Sequence, residues 1–327
     1  MVNASDINEL PDNGLYVEGS VLTRLLMGTV GLQEVRSNRV MLLIDRHEDE
    51  RICELAINAA SAARATLGLD CPVVVKMDPP INMQAGYSSS GRAVGQVEGL
   101  ERLLEVLYSH RAEFDAVAIA SKIDISEGLY EEYFESKGKI INPWGGVEAM
   151  LTHAVSMLFN IPSAHAPMAE DMDEANALFG KVDPRMAAEA VSTCFLHCVL
   201  KGLHRSPRII TDRMVFGHPG VLTAADVSCL VIPDKCVGLP TLAAIEQGIP
   251  VIAVKENENR MENELEKLPF EKGKFFIAEN YLEAVGIMTA LKEGIALSSV
   301  RRPLEYTKVE STCVEKKTAE KQLGGEV

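Results

Sequence analysis

Three short runs of consecutive apolar residues constrain this chain more than anything else in it: Val40-Met-Leu-Leu-Ile44, Ala116-Val-Ala-Ile-Ala120 and Val251-Ile-Ala-Val254. They lack the alternation of a strand with one face in water. Such runs fit parallel strands covered on both faces, and parallel strands need crossover connections, usually helices.

Helical signals stand where those crossovers are required. One helix is expected from about Glu48 to Leu67, stopped by Gly68. Another covers Val97 to His110, with Leu100, Leu103, Leu104 and Leu107 at helical spacing. Val73-Val-Val75 reads as a strand, and Asp78 to Gly91 as a loop rich in Pro, Gly and Ser. The second half repeats the theme. Strands are expected at Val227 to Ile232, Pro250 to Val254 and Phe275 to Ile277, with helices at Pro240 to Gln247 and Tyr281 to Leu291. Between the halves lies a helical segment. Its first helix starts near Asn142-Pro143, an N-cap followed by proline, and runs to about Leu158; Arg185 to Leu200 is a second, apolar helix. The expected class is α/β, with Rossmann-like parallel sheets flanked by helices, in two lobes with the helical segment between them. The N-terminal lobe and helical segment span 1–205, the C-terminal Rossmann-like lobe 206–301, and the charged tail 302–327 reads as disordered.

A length of 327 residues suits two domains of roughly 150 residues each. The formal net charge of −15 repels a phosphate backbone, so no nucleic-acid partner is expected. A small anion in a local cationic pocket stays open. The seven cysteines are odd in number, and the chain is too large to need disulfides, so a reducing compartment is the simpler reading. No apolar run approaches the roughly 20 residues of a membrane span, and the polar start lacks a signal peptide's pattern. The expectations are a cytoplasmic protein, no membrane partner, and a homo-oligomer as an open option. The opening is loop-like where an α/β domain normally begins with a strand. The reading frame is therefore expected to continue upstream of Met1 with a strand and a glycine-rich loop, leaving a sheet edge near residues 40–44 unpaired.

Four constellations can carry chemistry. Ser88, Ser89, Ser90 and Gly91, before Arg92, can cradle a phosphate or carboxylate at a helix start, or can form a plain surface loop. Gly145 and Gly146 let a ligand approach the backbone, with Glu148, His153 and His165 as acid, base or metal ligands. Glu148 and His153 lie about 140° apart around a regular helix, so a shared role needs an irregularity or the help of His165. The bland alternative is a capped helix with a surface Glu and a hydrogen-bonded His. Cys194, His197 and Cys198 share one helix face, but without a fourth ligand they read as core, and no metal site is expected. Last, Lys235, Gly238 and Thr241 follow one strand, and Lys255, Glu256 and Asn257 follow the next. Both segments fall at the carboxyl edge of a parallel sheet, where such sheets bind ligands. A surface ion pair of Lys255 with Glu256 is the alternative.

The stretches Asn13 to Gly19, Ala62 to Gly68, Asn142 to Glu148 with His153, Ile161 to Pro167, and Cys229 to Pro233 resemble the family known as domain of unknown function 3326. The resemblance runs from about Asn3 to Ile295 and implies a soluble protein of bacterial, cyanobacterial or plastid type with no established activity. It also implies an additional strand and a Thr-Gly-Ile-Gly type loop ahead of Val2. Ala225-Asp226, Thr241 and Gly248-Ile-Pro-Val-Ile resemble, more loosely, the C-terminal domain of nucleotide-sugar glycosyltransferases, an analogy of local pattern that does not give function.

Two functional classes follow. One is an enzyme acting on a small anionic or nucleotide-like metabolite in a cleft between α/β lobes. Glu148 and His165 would transfer protons, Lys255 would bind the anion, and Ser88 to Ser90 would orient it. The other is a non-catalytic sensor that binds a metabolite and changes partner contacts. Neither reading names a cofactor.

Overall fold

The computed structural model describes residues 10–311 apart from 127, 130–131, 134–135, 137–139, 174–194, 258 and 260. Compact units divide at Ala284/Val285, and every described strand precedes that division.

The chain order is α1 (Gly19–Leu26), β1 (Gly31–Gln33), β2 (Val40–Asp45), α2 (Glu50–Leu67), β3 (Val74–Met77), β4 (Asn82–Tyr87), β5 (Ala93–Glu98), α3 (Leu100–Ser109), β6 (Ala116–Ser121), β7 (Asp124–Ile125), α4 (Gly145–Phe159) and β8 (Ser163–Pro167). Then follow α5 (Leu196–His204), β9 (Arg208–Ile210), β10 (Val221–Leu222), β11 (Leu230–Pro233), α6 (Leu239–Glu246), β12 (Val251–Val254), β13 (Phe275–Ala278), α7 (Tyr281–Lys292) and α8 (Leu297–Val300).

The class is α/β, as the apolar runs require. A four-stranded sheet has the order β3-β2-β6-β8, all parallel, and a second parallel sheet has the order β11-β12-β13. Alternate residues of the larger sheet serve opposite cores. Val40, Leu42, Ile44, Ala116, Ala118 and Ala120 pack on one side with residues of α2 and α5. Met41, Leu43, Val117 and Ile119 pack on the other with α3 and α4. Burial of about 25 cal/mol per Å² of apolar surface drives this two-sided coverage. Because the period is 2, Ser121, Ser163 and His165 must also point to the α4 side.

Three expectations are corrected. β2 pairs with both β3 and β6, so the run at 40–44 is interior and leaves no open edge. The loop expected at 78–91 contains half of a β-hairpin: β4 and β5 pair from Asn82–Glu98 to Tyr87–Ala93. The segment expected to be helical between the halves contributes β8, one of the two edge strands of the main sheet. Part of the helix expected at 185–200 lies outside the described residues, as do Cys194 and the tail from 312 onward; α5 begins at Leu196.

From β2 the chain turns to β3 on one side and later to β6 on the other. The β2/β6 boundary is thus the topological switch point, where open α/β sheets present their crevice. Asp45 ends β2 there and Ser121 ends β6.

Candidate functional site

Helix α4 builds the site. Asn142 Oδ1 accepts from the N–H groups of Trp144 (3.0 Å) and Gly145 (3.3 Å), which starts the helix. Asn160, with φ 52°, ends it. Gly146 is required by packing: a Cβ there would lie 2.5 Å from Ala93 O and Val94 N of β5. The space that can admit a ligand beside Gly146 is filled by the hairpin backbone. At the other end Ser156 Oγ donates to Ile161 O (2.8 Å) and Ser163 Oγ donates to Thr152 O (2.9 Å), fixing α4 against β8.

Glu148 and His153 do not meet. Each is drawn to its own partner, as their angular separation on the helix demands. His153 Nδ1 is hydrogen-bonded to Glu18 Oε1. The Glu18 side chain is 2% exposed and that of His153 is 40% exposed. Glu18 also accepts from Ser20 N (2.9 Å), Val21 N (3.4 Å), the Ser20 hydroxyl and Thr152 Oγ1 (3.4 Å). Burial pushes the Glu18 carboxyl up, but the bonds from His153 and Ser20 outweigh it and hold it below the ordinary carboxylate range. An ionised carboxylate can only accept, so Nδ1 carries a proton, and in the neutral ring the lone pair falls on Nε2. Gly19 makes room for the ring: a Cβ there would sit 3.1 Å from His153 Cε1.

Glu148 goes to His165. Glu148 Oε1 lies 3.5 Å from Nδ1, with side-chain exposures of 15% for Glu148 and 1% for His165. His165 Nε2 is 2.8 Å from Ser121 Oγ, which in turn donates to Met83 Sδ (3.0 Å). His165 Nδ1 is buried and has no hydrogen-bond partner. Tyr16 is close to both carboxylates. Burial, then the charges of Glu18 and Glu148, push its phenol far above the ordinary value. Its hydroxyl donates to Ser163 O (3.4 Å), and its carbonyl accepts from Ser206 Oγ (2.7 Å).

The remaining expected site residues lie in separate places. Ser88 to Gly91 form the tip of the β4–β5 hairpin, with no helix start beside them. Ser88 N–H donates to Arg92 O (2.8 Å), and the hydroxyls of Ser88 and Ser90 bond one another (2.9 Å). At the second sheet, Asn259 Nδ2 donates to Asp234 O (2.8 Å) and Asn263 Nδ2 to Lys235 O (2.8 Å). Lys235 takes φ 63°. Gly238 N–H donates to the buried Thr241 hydroxyl (3.5 Å) at the start of α6. Lys255 pairs with Glu279 (2.8 Å) and not with Glu256, Glu256 accepts from Tyr281 N–H (3.2 Å), and Asn257 donates to the Tyr281 hydroxyl (2.9 Å). Cys198 is buried in α5, and among the described residues no three His, Cys, Asp or Glu are placed to hold a metal ion.

Sequence reasoning missed Glu18, Tyr16 and Ser121. Tyr16 and Glu18 stand inside the Asn13 to Gly19 stretch that carries the family resemblance, and Ser121 is the first polar residue after an apolar strand. Asp45, at the switch point, was also passed over. It accepts from Ile81 N–H (3.0 Å), and burial pushes its carboxyl up to about 7.

No helix among the described residues is long and apolar enough to cross a membrane. No solved structure matches the chain. An uncharacterized lipoprotein of Synechococcus sp. is 31% identical over 300 residues, covering 90% of this chain and 81% of that one. The family model described as a protein of unknown function (DUF3326) matches residues 1–301, and the chain belongs to that family.

Proposed function

We propose that the chain is an enzyme that transfers a proton on a small polar metabolite, with His153 as the general acid–base and Glu18 as the residue that orients it. One observation carries this reading: a carboxylate almost fully buried is hydrogen-bonded to an imidazole that remains 40% exposed. A structural core pair would bury both partners, and an ordinary surface pair would expose both. Here the charged group is withdrawn from water, at a cost of several kcal/mol if unpaired, and the outer ring nitrogen is left to solvent. Glu18 fixes the tautomer with Nε2 free to accept a proton, and its charge stabilises the imidazolium that results. An anionic or nucleotide-like substrate has its support at the other sheet, beside Lys235 and Lys255, and not at this pair, where Glu18 and Glu148 are both acidic.

The test is a metabolite library incubated with the full chain and read by mass spectrometry. Turnover should fall by about 10²–10⁴-fold in His153→Gln, the usual range for a general base, measured below a melting temperature that itself drops because Glu18 loses its imidazole partner. Equal turnover in both proteins refutes the assignment. Saturable binding without turnover refutes the enzyme and leaves the sensor.

A further inference from the structure

Around His153, helix α4 turns its polar groups inward and its hydrocarbon outward. From Ala149 to Asn160 the only ionisable side chain is His153. Thr152 and Ser156 are buried, and their hydroxyls donate to Glu18 Oε1 (3.4 Å) and Ile161 O (2.8 Å). On the solvent side Met150 is 47% exposed, Met157 58% and Leu158 63%. A surface helix ordinarily shows charged and polar groups there. By helix geometry Met157 and Met150 stand about 40° and 60° around the axis from His153, on the side away from Thr152. One follows His153 by a turn and the other precedes it by a turn, so the imidazole sits midway along an apolar strip about 10 Å long. Helix α1 runs parallel to α4 on the ring's other side, since Gly19 lies against His153 and Arg24 Nη2 donates to Asn160 Oδ1 (2.8 Å).

The occupant of this strip has to be apolar along the methionines and polar at one point between them. A second copy or a bilayer laid over it would cover the outer ring nitrogen with hydrocarbon and leave a polar atom buried without a partner, which proteins avoid. A molecule that is polar throughout would gain nothing from the methionines. A polar reacting group with a saturated chain beside it meets both demands. Methionine suits such a chain, being unbranched and able to adapt to irregular apolar shapes. Ligand sites commonly combine an apolar lining with a few placed polar groups. We infer that the metabolite handled by His153 carries an aliphatic arm beside its polar reacting group, and that Met150 and Met157 select for that arm. This inference rests on the assignment of His153 for its link to catalysis, but binding of the arm is measured separately from turnover.

Three neutral probes share one polar head and differ only in methylenes: acetamide, butanamide and hexanamide. Each is titrated into the full chain while the ring nitrogens of His153 are followed by nitrogen–proton NMR. Every added pair of methylenes should tighten binding about fourfold, the return expected of half-burial on an open strip. Met150→Gln and Met157→Gln keep the length of the side chain but not its apolar character, and they should flatten the series. The same change at the exposed Met214, outside α4, should leave it steep. Equal affinity along the series, a gain that survives both α4 variants, or no response at the His153 ring overturns the inference. So does a dimer in sedimentation that Met157→Gln dissociates, because a second copy then covers the strip. If the series is flat while turnover still depends on His153, the apolar selection is wrong and the proton-transfer role stands. If the series is steep while His153→Gln turns over normally, the strip binds the arm and the catalytic assignment falls. The wild-type series decides the matter even if a variant does not fold.

Discussion

Replacing Gly146 by alanine sets two effects of opposite sign against each other. Helix propensity alone favours the change, by at most about 1 kcal/mol in a helix interior. The structure opposes it. The new Cβ would lie 2.5 Å from Ala93 O and Val94 N, with Ala93 C equally crowded. All three are backbone atoms of β5, so relief requires α4 or the hairpin to move as a body. Overpacking of this kind costs about 1–3 kcal/mol, and contact with rigid backbone belongs at the upper end. The net expectation is a loss of about 2 kcal/mol. Gly286 in α7 is the control, since a Cβ there meets nothing within 4 Å. Gly286→Ala should stabilise by up to about 1 kcal/mol. In urea the midpoint should fall for Gly146→Ala and rise for Gly286→Ala, with unchanged slopes. A midpoint for Gly146→Ala at or above that of the wild type would refute the close packing of α4 on the hairpin. Any shift of α4 that does occur also displaces Glu148 and His153.

Asp45 binds a proton more tightly in the fold, at about 7, than at its ordinary value of 3.8. Stability should therefore fall as pH rises through that window, and Asp45→Asn, which keeps an acceptor for Ile81 N–H, should flatten the fall; an identical slope of melting temperature against pH in the variant sinks this. Glu18 is held below its ordinary value, so its contribution is present above the carboxylate range and disappears as pH drops through the folded value. Glu18→Gln should remove that acid limb from the melting curve, and an unchanged limb would count against the assignment. Cys198 is fully buried, so Cys198→Ser, which puts a hydroxyl where the thiol was, should cost about 1–3 kcal/mol in chemical unfolding; a change within error would refute this.

The parallel strands were legible because two-sided burial forces an uninterrupted apolar run, as in Val40 to Ile44 and Val251 to Val254. The hairpin was not. β4 and β5 are partly exposed and carry Gly86, Gly95, Gln84 and Gln96, residues that also make loops. β8 was hidden because Ser163 and His165 interrupt its apolar face, and both find hydrogen-bond partners, Ser163 in α4 and His165 in β6. Glu148, His153 and His165 could be singled out from chemistry and local glycines. Their pairing could not be read, since Glu18 and His153 are 135 positions apart and His165 and Ser121 are 44 apart. The periodicity of a helix says that Glu148 and His153 diverge; only the sheet says what each finds.

That separation of 135 positions is also a separation in time. On the ribosome Glu18 is made first, and both groups from α4 that stabilise its charge, Thr152 and His153, arrive roughly 7–27 s later at about 5–20 residues per second. Until then the carboxylate has only its own turn, Ser20 and Val21, and no reason to leave water. Burial of this acid is thus a late event by construction. A nascent chain halted before α4 emerges can hold its early strands yet has no oriented imidazole. The Glu18–His153 pair is therefore assembled only once about half the polypeptide has been made.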